Sequence, residues 1–347
     1  MELLIHPGMP KTGSSSIQKT LLSRPPDNWF VPARNSGNMG RDLILLFEDR
    51  PWEAPTFKIQ GWSKEEIISQ KEDRSEELKR QLSSAASAGL DTVFTAERLF
   101  NVTEEVIARL RDFYAEFGYS ARVVGYVRKP VSFMQSAFQQ NVKTDHPGLL
   151  EPKNLFPQYC RGFQKFDTVF GRENVKLKLF DPGSLIGGDV VADFYHELGV
   201  GIAPEDTIRV NESLSLEACA LLFAQRTLGR GFAKGFRGAG KANADFVDVL
   251  SSIGSRRLEF SRSFVEPMIE QYNDDLRWME CRLGVDILDL PRDDEPGMIG
   301  SADDLIQEAL SKTEDVEGLI QELISKSFEN EQQELLAKLE LLRKLAL

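Results

Sequence analysis

Five strand candidates stand out along the first 180 residues: Leu3–Ile5, Trp29–Val31, Thr92–Thr95, Arg122–Val127 and Val175–Leu179, mostly apolar except that Lys176 and Lys178 alternate with apolar residues in the last. Runs of this length, rich in β-branched and aromatic residues, predict strands covered on both faces. Between them, apolar residues recur with helical period over 14–23, about 64–87, 103–117, 130–143 and 155–169. Strand and helix in alternation predict an α/β fold, a doubly wound parallel sheet of about five strands flanked by helices. From residue 213 the pattern turns helical, over about 213–228, 243–253 and 262–283. Pro291 to Gly300, dense in Pro, Gly and Asp, reads as a linker. Beyond it Val316, Leu319, Ile320, Leu323, Ile324 and Phe328, and then Leu335, Leu339 and Leu342, fall at helical spacing. The division expected is a domain over 1–290, with its α/β core to about 220, a linker at 291–300 and an amphipathic helical tail over 301–347. That tail either packs back on the domain or joins two copies into a homo-oligomer. Segment 34–62, with Gly37, Gly40, Pro51, Pro55 and Gly61, reads as a long excursion on the acceptor side of the sheet.

Charge narrows the partners. The 347 residues carry 42 basic and 54 acidic side chains, a net −12, which argues against nucleic acid held on a basic surface. Residues 301–347 supply −6 of this, from 11 acidic and 5 basic side chains. Cys160, Cys219 and Cys281 are scattered, without metal-ligand spacing, and read as reduced thiols. No apolar stretch approaches the ~20 residues of a membrane span, and the first loop begins too early to leave room for a signal peptide. A cytoplasmic location is the expectation.

The most informative segment is Met9-Pro10-Lys11-Thr12-Gly13-Ser14-Ser15-Ser16, between the first strand and the first helix. A strand, a tight turn and a helix N-terminus present backbone N–H groups and the positive end of a dipole to an anion. Hydroxyls and a lysine in the same turn suit phosphate or sulfate. Gly8 and Gly13 have the spacing of a G-x-x-x-x-G-K-[ST] loop, but Ser14 stands where the lysine belongs and Lys11 lies inside the loop. The strand Val123–Val127 ends in Arg128 rather than a carboxylate for Mg²⁺, which weakens a kinase or nucleotide-hydrolase reading. A second basic element follows that strand: Arg128-Lys129-Pro130, with Ser136 about two helical turns on, placed so that Arg128 and Ser136 reach one phosphate.

The first loop resembles the 5′-phosphosulfate loop of sulfotransferases that use PAPS (3′-phosphoadenosine-5′-phosphosulfate). Arg128, Pro130 and Ser136 resemble that family's 3′-phosphate element, and the stretch from Phe180 through Ser215 is similar to its bacterial carbohydrate-type members. The resemblance covers residues 1 to about 220. It implies a P-loop-like fold, PAPS as co-substrate with PAP (3′-phosphoadenosine-5′-phosphate) as product, no metal, and sulfation of a hydroxyl or amine on a small-molecule or glycan-like acceptor. It also implies that Lys11, Thr12, Gly13, Ser14, Ser15 and Ser16 hold the phosphosulfate and that Arg128 and Ser136 hold the 3′-phosphate. Lys11 would meet charge on the leaving oxygen. Many relatives use a glutamate to take the acceptor's proton, and Glu97, after the third strand, matches it; His146 and His6 are the other candidates. The rivals are a P-loop-like nucleotide kinase or hydrolase and a catalytically inactive nucleotide-binding scaffold. A glycine-rich basic stretch, Arg226 to Lys241, reads either as a lid over an anion or as a solvated loop.

Overall fold

The computed structural model describes residues 1–34, 37–210, 213–232, 238–291 and 297–326, with Leu335 and Leu339 beyond them. Its centre is a five-stranded, all-parallel sheet. The strands are β1 (Glu2–Pro7), β2 (Trp29–Phe30), β3 (Asp91–Ala96), β4 (Ser120–Val127) and β5 (Val175–Leu179), in spatial order β2-β3-β1-β4-β5. The register pairs Ile5 with Phe94 on one side and with Val123 on the other. Helices cover both faces, the P-loop-like doubly wound arrangement the alternation predicts.

The side-chain period of two sends alternate residues of the central strands into two cores, which is why they are mostly apolar. Leu3, Ile5, Phe94, Val123 and Val127 enter the larger core on one face. Leu4, Val93, Val124 and Tyr126 enter the smaller core on the other face, beneath α1 (Ser14–Ser23). On the larger-core side pack α2 (Gly40–Phe47), α3 (Lys64–Ser87), α4 (Glu104–Ala115), α5 (Pro130–Thr144) and α6 (Tyr159–Phe170). The smaller core is closed by α7 (Val190–Glu197), whose Asp193 is fully buried and accepts from Tyr126 Oη at 2.8 Å and Lys178 Nζ at 2.7 Å. A buried carboxylate is tolerable there because a phenol and an ammonium both satisfy it.

Three expectations need correction. Segment 34–62 is not chiefly a loop: Leu43, Ile44, Leu45 and Phe47 bury as α2, and Arg41 stacks over Trp62 at 4.9 Å from the ring centre. The helical pattern 262–283 is two helices, α10 (Arg262–Gln271) and α11 (Asn273–Leu283), divided at Tyr272, which stacks on Phe156 with 4.6 Å between centroids. The end of the proline- and glycine-rich stretch is tied into the fold rather than free: Ile299 is buried and bridges Phe260, with its N–H donating to Glu259 O at 2.9 Å. Residues 292–296 of that stretch lie outside the described residues.

The helical region adds α8 (Leu216–Thr227), α9 (Ala239–Ser251), α12 (Ala302–Leu310) and α13 (Thr313–Lys326). The first tail helix, α12, buries Leu305 and Ala309, and Glu308 pairs with Arg256. The tail therefore begins as part of the core. On α13, Val316 and Leu319 pack against the core while Ile320 and Leu323 are exposed; Phe328 and Leu342 lie outside the described residues. All three cysteines are free thiols. Among the described residues no helix is long and apolar enough to cross a membrane.

Candidate functional site

The carboxyl ends of β1, β3 and β4 converge on a cleft of about 640 Å³. Its floor is the turn between β1 and α1. Lys11 (φ 62°) and Gly13 (φ 76°) both adopt the left-handed conformation, two positions apart. A lysine held there is strained backbone, the sort that persists where the surroundings fix it. Gly13 takes the N-cap position, so no side chain caps α1 and its first turn contains no acidic residue. An uncapped turn at the base of a cleft leaves its N–H donors for a ligand anion.

Close packing shapes this turn. A Cβ at Gly8 would lie 2.4 Å from Ser14 Oγ and 3.0 Å from Glu97 Cγ, so Gly8 lets Glu97 and Ser14 approach the same point. Ser14 Oγ is buried and has no hydrogen-bond partner among the described residues. A buried hydroxyl without a partner costs about 1–3 kcal/mol, which a ligand oxygen at the cleft floor would recover. Thr12 behaves differently: it is fully buried, and its Oγ1 donates to Met9 O at 2.7 Å. Its hydroxyl therefore holds the turn, whereas Lys11, Gly13, Ser14, Ser15 and Ser16 line the cleft. Ser16 Oγ also accepts from Val210 N at 3.1 Å, fastening the far wall.

The second basic element folds against the first. Arg128 donates to Lys11 O at 2.7 Å and Ser136 Oγ at 3.0 Å through Nη1, and to Ser132 Oγ at 2.7 Å through Nε. Arg128 and Ser136 are thus side by side, as their spacing predicts, and the arginine also braces the loop. Asp289 accepts from Val131 N at 2.8 Å and Ser132 N at 3.1 Å, capping α5. Of these two helix N-termini, then, α1 alone lacks a cap. Burial, followed by the repulsion of Arg257, lowers the Arg128 guanidinium to about 10, while Asp289 opposes the shift. A guanidinium repelled by a second cation and hydrogen-bonded to two serine hydroxyls suits an anion. Arg257 escapes a sequence reading that sought the partner cation in the 226–241 stretch; the Arg256-Arg257 pair after Gly254 was the available signal. In that stretch Arg226 is buried, donating to Val142 O at 3.1 Å, and Lys241 pairs with Asp245 at 3.0 Å. Lys234 and Arg237 lie outside the described residues.

Glu97 opens a 3₁₀ turn, Glu97–Phe100, directly after β3 and lines the cleft with Lys11. The turn is held from beneath by the buried Lys165 of α6, whose Nζ donates to Phe100 O at 2.7 Å and Val102 O at 2.8 Å. Burial, with Arg161 adding repulsion, pulls Lys165 down to about 8. Lys165→Met should leave both carbonyls unsatisfied and lower unfolding stability by about 2–3 kcal/mol, measured from urea midpoints. An unchanged midpoint would mean the clamp contributes nothing. Of the histidines, His146 lines the cleft with Nδ1 2.7 Å from Pro147 O, whereas His6 is fully buried in β1, the central strand of the sheet. His6 cannot meet an acceptor; Glu97 and His146 can.

No family model matches this chain, and no curated protein does. Among solved structures, one from the PezAT chromosomal toxin–antitoxin system of the human pathogen Streptococcus pneumoniae aligns at 12% identity, covering 71% of this chain and 86% of that chain, with a TM-score of 0.26. A likeness so slight bears on neither mechanism nor ligand.

Proposed function

We propose that this protein is a PAPS-dependent sulfotransferase acting on a hydroxyl or amine, most simply of a carbohydrate or glycan-like molecule. The observation that carries the reading is one cleft joining an uncapped, serine-rich helix N-terminus to Arg128, itself hydrogen-bonded to the buried Ser136, with a lysine and a glutamate on its walls. The residues fit the nucleotide: the orphaned Ser14 hydroxyl asks for an acceptor oxygen, and Arg128, braced by Ser132 and Ser136, supplies a cation on the cleft for a 3′-phosphate. PAPS, when bound, supplies the sulfuryl group. Lys11 places positive charge where the departing oxygen gains negative charge. Glu97 holds the acceptor's proton as the new bond forms. The narrow turn orients both ends of the ligand, and orientation is most of what an in-line displacement needs.

Calorimetric titration with PAP, then a radiolabelled-sulfate screen across sugars, lipids and phenols, tests the reading. Arg128→Ala should weaken PAP binding about 10–150-fold, or ~1.5–3 kcal/mol, for a lost charge-assisted hydrogen bond. Because Arg128 also braces Lys11 O, the variant's urea midpoint is measured alongside. Wild-type-like PAP affinity in a folded Arg128→Ala protein would remove the second cradle. Mg²⁺-dependent ATP turnover without PAP binding would favour a kinase or hydrolase instead.

A further inference from the structure

Arg98 follows the proposed base directly, yet nothing above uses it. Its side chain lines the main cleft and also a neighbouring cavity of about 510 Å³ that reaches to α2. Asn101 lines both spaces too, and its N–H donates to Arg98 O at 2.9 Å. Together these two side chains form a sill between cleft and side cavity. The stem of Arg98 is fixed: a Cβ at Gly40 would lie 3.3 Å from Arg98 Cγ. The backbone of the sill is fixed as well, by the Lys165 clamp on Phe100 O and Val102 O.

What the sill lacks is a counter-charge. Among the described residues no hydrogen bond or ion pair holds the Arg98 guanidinium, in a protein of net charge −12. Although exposed to the cleft, it is surrounded closely enough for burial to lower its pKa, and no acidic side chain raises it again. The nearby carboxylates are engaged elsewhere. Asp49 pairs with Arg109, and Glu53 pairs with Arg50 at 3.3 Å. With Glu48 and Arg50 they line the side cavity but not the cleft. A planar guanidinium held in place without a partner is the group that recognises carboxylate, sulfate or phosphate oxygens.

We infer that Arg98, with the Asn101 amide, is the acceptor's anion subsite, and that the preferred acceptor carries a carboxylate, sulfate or phosphate close to the hydroxyl or amine presented to Glu97. The inference rests on the sulfotransferase reading, in which the loop and Arg128 are taken by the nucleotide. The anionic group then binds at the sill, where the Arg98 guanidinium faces the cleft. Neutral hydroxyl compounds would enter the same cleft without this anchor.

The test uses glucose, glucuronate, glucose 6-sulfate and glucose 6-phosphate as probes on the PAP-saturated protein, followed by NMR titration. At least one anionic sugar should bind 10-fold or more tightly than glucose. Arg98→Gln should erase that preference while changing PAP affinity less than twofold, and Arg98→Lys should keep part of it. The three anionic arms tell which oxyanion the sill takes. Equal binding of glucose and every anionic sugar, or a preference that survives Arg98→Gln, overturns the inference; so does a 10-fold loss of PAP affinity in Arg98→Gln, which would assign the arginine to the nucleotide. Failure of PAP to bind the wild-type protein strikes the sulfotransferase reading instead. The Arg98→Gln comparison on the free protein then still decides whether the sill holds an anion.

Discussion

Glu97→Gln should slow sulfuryl transfer by about 10²–10⁴-fold, the usual contribution of a positioned general base, while leaving PAP affinity within twofold of wild type. The amide has the carboxylate's shape, so the contact with Gly8 survives and the 3₁₀ turn keeps its place over Lys165. What is lost is the capacity to hold a proton. The comparison is made on kcat at saturating acceptor, since a change confined to KM would mark Glu97 as a binding group. Turnover equal to wild type would take Glu97 out of the mechanism and leave His146, on the same cleft wall, as the base. His146→Gln discriminates the two: it should leave kcat nearly unchanged if Glu97 does the work.

Much of the scaffold can be read from the chain because the central parallel strands, covered on both faces, are mostly apolar. Leu3, Leu4 and Ile5 are all fully buried although they belong to two separate cores. The same logic exposes the first loop, since Gly8 and Gly13 interrupt a strand and a helix with nothing apolar between them but Met9, itself buried. Arg128 and Ser136 are legible for a local reason: eight positions apart, they span the end of β4 and the start of α5, and 3.0 Å is the outcome. The harder parts depend on chain segments far apart. The charge of Arg257 bears on Arg128 from far along the chain, and no local spacing encodes that. Lys165 lies between Phe163 and Phe166 on the buried stripe of α6, where a lysine signals a buried carbonyl partner without naming it. The excursion at 34–62 misleads for the opposite reason. Its glycines and prolines punctuate the ends, while the apolar run Leu43–Phe47 between them is long enough to bury as a helix.

Specificity and chemistry divide cleanly along β3 and β4. The β4 side gathers cations already engaged with serines and with the loop, Arg128 above all. The β3 side offers Glu97, Arg98 and Asn101 in five consecutive residues on one clamped turn. On the proposed reading, a single strand end sets both the proton acceptor and the anion anchor, so small shifts of that turn should alter rate and acceptor choice together. Lys165→Met is informative here beyond stability, because any residual activity should come with relaxed discrimination between glucuronate and glucose.

The strand that carries the loop contains the strongest predicted source of acid sensitivity. His6 is fully buried, with its Nδ1 2.9 Å from Thr95 Oγ1, its ring 5.1 Å from that of Phe194, and Nε2 without a partner among the described residues. Burial holds its pKa down to about 3, against 6.5 for a free imidazole. Between those values the unfolded chain binds a proton that the folded protein refuses, so stability falls as pH drops from about 6.5 towards 3. The slope from this residue approaches ~1.4 kcal/mol per pH unit and accumulates to roughly 5 kcal/mol across the window. His6→Asn keeps a short amide facing Thr95 but cannot titrate. It should be less stable than wild type at pH 7.5, by about 1–3 kcal/mol for lost ring packing, yet lose less stability on acidification. Urea midpoints at pH 7.5 and pH 4.5 decide the matter. The wild-type protein should lose about 2–3 kcal/mol more than the variant over that interval, the share of the window between 6.5 and 4.5. Equal losses in the two proteins would mean that His6 takes up its proton without unfolding, and that a donor from Nε2 finds an acceptor inside the core.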